Sequence, residues 1–171
     1  MIFVTVGTQL PFDRLVRGVD AWAAHHPEEP VLAQVNGGTY VPRHIRTVAG
    51  LSPAEFEQHF AEARLVVAHA GMGTIISALE VGKPLVLLPR LASMGEHRND
   101  HQLGTARHFT RFACIRIASS EEDVARRIDE LLEVAGAPVD PQAASGVSPS
   151  LIEGIRRFLE APAASSRGKN R

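Results

Sequence analysis

Five short apolar runs alternate with stretches of helical spacing along this chain: Ile2 to Val6, Val31 to Val35, Leu65 to Ala68, Pro84 to Leu88 and Ala113 to Ile117. The runs are mostly apolar rather than apolar at every second position, which marks strands buried on both faces. Strands that alternate with helices build a parallel sheet with helices packed on both sides. The architecture read from this pattern is a Rossmann-like, doubly wound α/β domain, with a weaker strand expected at Ile45 to Val48.

The helices carry their own signals. Phe12, Leu15, Val16, Val19 and Trp22 recur at helical spacing, and Pro27 closes that segment. Ser52-Pro53-Ala54-Glu55 has the form of a capping box with proline at the first helical position. A loop and short helix are expected over Gly71 to Val81, stopped by Gly82, and a longer helix over Glu96 to Thr110. Ser119-Ser120-Glu121-Glu122 caps a helix running to about Val134. After a Pro/Gly/Ala loop from Ala135 to Gly146, Ser148-Pro149 opens a last helix with Leu151, Ile152, Ile155, Phe158 and Leu159 on one face. Residues 1–160 read as one domain and 161–171 as a disordered tail. No internal repeat is apparent.

Composition removes several functional classes. The chain has 171 residues, 44% hydrophobic and 22% charged, as a globular domain does. Its formal net charge of -1 gives no broad grip on nucleic acid or anionic lipid, so no nucleic-acid partner is expected. The one cysteine, Cys114, reads as a small core residue, and a chain without disulfides suits a reducing cytoplasm. The start, Met1 to Gly7, lacks the basic leader and cleavage site of a signal peptide. The longest apolar stretch, Pro84 to Pro89, is too short to span a bilayer, so membrane contact is expected only through a partner.

In doubly wound sheets, ligands bind beyond the carboxyl ends of the strands. Three polar or glycine-rich segments fall there: Gly7-Thr8-Gln9, His69-Ala70-Gly71-Met72-Gly73-Thr74, and Pro89-Arg90 followed by Glu96 through Gln102. Gly71 and Gly73 permit close backbone approach, and Gly73 and Thr74 open a helix whose free amides favour an anion such as a diphosphate. The alternative is a tight turn with no ligand. His69 either donates to a phosphate or sugar, or simply closes a strand end. Ser77 and Glu80 share a helix face, where a hydroxyl and a carboxylate can meet ribose; the alternative for Glu80 is a solvated surface charge. His97 and His101 stand four apart, as zinc ligands can, but no third ligand follows at diagnostic spacing, so no metal site is assigned. Asp100, His101 and Gln102 suit a sugar's hydroxyls instead. Lys83, Arg90 and Arg98 are candidate partners for a diphosphate's charge, or surface groups. His25 and His26 read as surface groups near a helix end.

The stretch HAGMGTIISALEVGKPLVLLPR followed by EHRNDHQ resembles the C-terminal domain of glycosyltransferase family 28. With the opening FVTVGTQLPFDRL, it is most similar to the small donor-binding subunits of split UDP-sugar glycosyltransferases, of the dolichol-linked N-acetylglucosaminyltransferase and bacterial exopolysaccharide types. The likeness covers most of residues 1–135. It implies one half of a GT-B enzyme that binds a UDP-sugar without cofactor or metal. Gly7, Thr8 and Gln9 would border the cleft, Gly73 and Thr74 would hold the diphosphate, and Asp100, His101 and Gln102 would contact ribose or donor sugar. The broader family often carries a ribose-binding carboxylate where this chain has Ser77; Glu80, one turn on, is the nearest carboxylate. The resemblance further implies a membrane-associated, acceptor-binding subunit, a lipid-linked glycan acceptor, a catalytic base on that partner, and no activity of the chain alone. A non-catalytic nucleotide-binding regulatory module is the competing function, and an enzyme complete in one chain is a third.

Overall fold

The computed structural model describes residues 1–135. The expected last helix, with Leu151 and Phe158, and the expected tail lie outside the described residues. Six strands form one fully parallel sheet in the order β3-β2-β1-β4-β5-β6: β1 Ile2–Thr5, β2 Val31–Gln34, β3 Arg46–Val48, β4 Leu65–His69, β5 Leu85–Leu88 and β6 Ile115–Ile117. The chain starts at the centre, winds outward to β3, then returns to β4 beside β1 and winds the other way. The strand order therefore reverses between β1 and β4, where a ligand crevice opens in such sheets.

Four helices connect the strands, α1 Asp13–Ala23, α2 Pro53–Glu62, α3 Met72–Val81 and α4 His101–Phe109, and α5 Glu121–Ala135 follows β6. The β1 residues explain why the apolar runs are continuous. Ile2 and Val4 join Leu15, Val19 and Trp22 of α1 and Val124 and Ile128 of α5 in one core. Phe3 joins the opposite core, with Phe60 of α2, Ile75 and Leu79 of α3 and Phe109 of α4. α2 begins with the expected reciprocal cap: the Glu55 N–H donates to Ser52 Oγ (3.3 Å) and the Ser52 N–H to Glu55 Oε2 (2.8 Å). α3 ends at Gly82, whose φ of 62° places it in the left-handed region that favours glycine.

The expected helix over Glu96 to Thr110 is a correction: α4 starts only at His101, and residues 89–100 form a loop with a single 3-10 turn, Ala92–Met94. Side chains compete successfully for the backbone here. The Leu91 N–H donates to Glu96 Oε2 (2.9 Å) and the Ala92 N–H to Asp100 Oδ1 (2.7 Å). Cys114 is buried as expected but precedes β6.

Candidate functional site

The carboxyl ends of β1, β4 and β5 open into one cleft of about 840 Å3, within the range of small-ligand sites. From the loop after β1 come Gly7, Thr8 and Gln9; from the β4–α3 junction come His69, Gly71, Gly73, Thr74 and Ser77; from the start of α4 come His101 and Gln102. Glu80 and Asp100 do not line the cleft. Asp100 spends a carboxylate oxygen on the Ala92 amide. Of the two candidates for a ribose, Ser77 lines the cleft, whereas Glu80 lies one turn beyond it.

The cleft also takes His97, and residues that local patterns did not single out, among them Thr5, Gln34, Leu51 and Phe56. Thr5 and Gln34 are buried strand-end residues. Thr5 Oγ1 donates to Gln34 Oε1 (2.7 Å), Gln34 Nε2 to the Gly7 carbonyl (3.1 Å), and the Gly7 N–H to Thr5 Oγ1 (3.2 Å). Their signal in the sequence is faint: two polar side chains at the ends of otherwise apolar strands.

His69 occupies the floor between two glycines. A Cβ on Gly7 would lie 2.7 Å from His69 Cε1, and one on Gly71 would lie 2.3 Å from its Nε2. Gly7 also has φ +83°. These glycines make room for the imidazole, whereas a Cβ on Gly73 would meet nothing within 4 Å. Burial above all, and then the neighbouring Arg90 charge, push the His69 pKa down to about 4, partly offset by the Thr5 backbone. The ring is therefore neutral near pH 7, and its buried Nδ1 has no hydrogen-bond partner.

The N-terminus of α3 faces the same space. The first helical bond runs from the Ile75 N–H to the Gly71 carbonyl (3.2 Å), so the amides of Met72, Gly73 and Thr74 precede it. Such amides, with the helix dipole, attract an anion. Arg90, 3% exposed, adds a buried positive charge, and Glu57 is the one carboxylate among the described lining residues. The other two candidate cations sit elsewhere. Lys83 Nζ donates to the Ala61 and Ala63 carbonyls (2.9 and 2.6 Å), closing the end of α2, and the exposed Arg98 does not line the cleft.

His97 and His101 do not share a helix face, because α4 begins at His101, yet their rings meet edge to face at 4.5 Å. No group of three or more His, Cys, Asp or Glu side chains suited to a metal occurs among the described residues. No helix of the described residues is long and apolar enough to cross a membrane.

Over residues 1–150, the sequence that builds this cleft matches the glycosyltransferase family 28 C-terminal domain. The chain belongs to that family. Mouse UDP-N-acetylglucosamine transferase subunit ALG13 is 35% identical over 106 residues, which is 56% of this chain and 9% of the mouse protein. The human protein of the same name is 33% identical over 116 residues, 62% of this chain and 10% of its own length. The chain thus spans about a tenth of the length of these curated relatives. The NMR solution structure of ALG13 shares its fold, with a TM-score of 0.59 at 18% identity over 92% of this chain and 94% of that one. The fold is the Rossmann-like α/β domain that the strand pattern implied, of the GT-B kind that the family resemblance implied.

Proposed function

We propose that the chain is the donor-binding subunit of a glycosyltransferase that moves a sugar from a UDP-sugar to a lipid-linked glycan. One observation carries the reading: the amides opening α3 and the buried Arg90 bring positive charge to the sheet's switch point, in a cleft whose described lining holds a single carboxylate, Glu57. That is the electrostatics a diphosphate requires. The diphosphate lies against the amides of Met72, Gly73 and Thr74. Ser77, on the same helix, reaches the ribose, while His101 and Gln102 approach the donor sugar. As the glycosidic bond to the diphosphate breaks, charge grows on the leaving oxygen, and amides fixed in advance stabilise it with no reorganisation and no metal. The name of the mouse and human relatives, a UDP-N-acetylglucosamine transferase subunit, supports N-acetylglucosamine as the donated sugar. The word subunit in that name supports a partner. This partner is membrane-associated, brings the acceptor site and the base, and holds the chain at the inner face of the membrane.

Calorimetry of the purified chain with UDP and UDP-N-acetylglucosamine, with and without a chelator, tests the donor site. Binding that persists in the chelator is expected. No binding of either nucleotide, or strict dependence on magnesium, overturns the reading. Binding without transfer, in the presence of the partner and acceptor, favours a regulatory module.

A further inference from the structure

The backbone of the Gly7 loop is gathered around one side chain. Arg90 Nη2 donates to the Val6 and Leu10 carbonyls (2.8 and 2.7 Å), and Nη1 to those of Pro11 and Glu96 (2.7 and 3.3 Å). The guanidinium also lies over the Phe12 ring, 4.5 Å from its centroid. Through its own N–H, Arg90 donates to Gln102 Oε1 (3.1 Å). Behind it, buried Arg14 forms a bidentate pair with Glu96 (both contacts 2.8 Å) and donates to the Pro89 carbonyl (2.7 Å). The second Glu96 oxygen also accepts the Leu91 N–H. One connected set of bonds therefore ties residues 6–11, from one wall of the cleft, to residues 89–102, from the other.

We propose that Arg90 is a positioning residue whose guanidinium fork, braced by the Arg14–Glu96 pair, clamps the Gly7-Thr8-Gln9 loop against the loop leading to His101 and Gln102, so that the cleft is preformed for the nucleotide sugar. This rests on the donor-binding reading above. The two Nη nitrogens carry four hydrogens, and four backbone carbonyls already take them. Arg90 thus acts on the ligand through the loop it shapes, not by bonding phosphate directly. Lysine cannot replace it, since a single ammonium cannot reach acceptors spread around a planar fork. A preformed site spares the ligand the cost of ordering two loops.

The test uses Arg90→Lys in the full chain, which keeps the charge and removes the fork. Hydrogen exchange of the unliganded protein is expected to quicken in residues 6–11 and 89–98 together, with α5 unchanged. The dissociation constant for UDP-N-acetylglucosamine is expected to rise about tenfold or more, with the same salt dependence as the parent. Methylguanidine is expected to restore part of the affinity of Arg90→Ala. If neither variant folds, Glu96→Gln, which loosens the brace, should give the same paired rise in exchange. Unchanged exchange in either loop, or donor binding as tight as the parent's in Arg90→Lys, overturns the clamp. A parent protein that binds no UDP-sugar sinks the donor reading instead, and the exchange measurement still decides on the clamp.

Discussion

Gly71 and Gly73 stand two residues apart and answer to different constraints. A side chain at 71 meets the His69 ring at 2.3 Å, so Gly71→Ala is expected to displace the imidazole and cost about 1–3 kcal/mol in urea unfolding. A side chain at 73 meets no protein atom, so Gly73→Val should fold with stability within about 0.5–1 kcal/mol of the parent. Its side chain enters the anion's space, however, and UDP binding should vanish in calorimetry. A folded Gly73→Val that binds UDP normally would reduce this segment to a turn. The spacing Gly-x-Gly was legible in the sequence, but not which glycine makes room for the histidine and which faces open space. At the next turn, Ser77→Ala should weaken UDP binding by about 0.5–1.5 kcal/mol while Glu80→Ala leaves it unchanged, because Ser77 alone of the two lines the cleft. The reverse result would return the ribose to the carboxylate. His69 links the site to stability. Its folded pKa of about 4 lies below the ordinary 6.5, so as pH falls through that interval the unfolded chain takes up a proton that the folded protein refuses. The contribution is fully present above about pH 6.5 and is lost toward pH 4, by about 2–3 kcal/mol. Urea unfolding at pH 7.5 and 4.5 should show this loss in the parent and not in His69→Asn.

At the scale of elements, α1 does more than cover the sheet. Asp13, at its start, accepts bonds from the Thr39 N–H and hydroxyl and from the Tyr40 N–H (3.0, 2.6 and 3.2 Å). Asp20, two turns on and 3% exposed, accepts from the Tyr40 hydroxyl and the amides of Arg43 and His44. Burial alone would raise the Asp20 pKa; the His44 and Arg43 amides and the Tyr40 hydroxyl outweigh it and hold the carboxyl below its usual range. The two carboxylates thus fold the connection from β2 to β3, alongside Val35, Tyr40 and Ile45, which pack against the core. Asp20→Ala would strand those donors and is expected to cost about 3 kcal/mol, whereas Tyr40→Phe should cost about 1 kcal/mol. Equal, small effects would show that the loop does not depend on Asp20. Such a tie was not legible beforehand, because an Asp on a helix reads equally as a solvated charge. The same holds for Glu96. Its spacing with the residues that follow suggested helix, and only its partner Arg14, 82 residues away in sequence, shows why the chain stays a loop there.

For the whole molecule, the described lining of the cleft comes from one domain alone, and the proposed function needs a second domain for the acceptor. The purified chain is therefore expected to transfer no sugar to a lipid-linked acceptor from any of a panel of UDP-sugars, and to do so once its acceptor-binding partner is added. Robust turnover by the chain alone would show a self-contained enzyme. The order of strands and helices, the buried character of β1, β2, β4 and β5 and the three loops at one sheet edge were all settled by the sequence. Apolar period, caps and glycine stops are local, and burial on both faces leaves a continuous apolar run that no neighbour needs to explain. What the tertiary structure decided is everything that depends on contact between distant segments. It starts α4 only at His101, turns Lys83 to the tail of α2, leaves Glu80 outside the cleft and wraps two loops around Arg90. A buried arginine or carboxylate is stable only with its partners in place, and those partners lie far along the chain, so no local pattern could announce them.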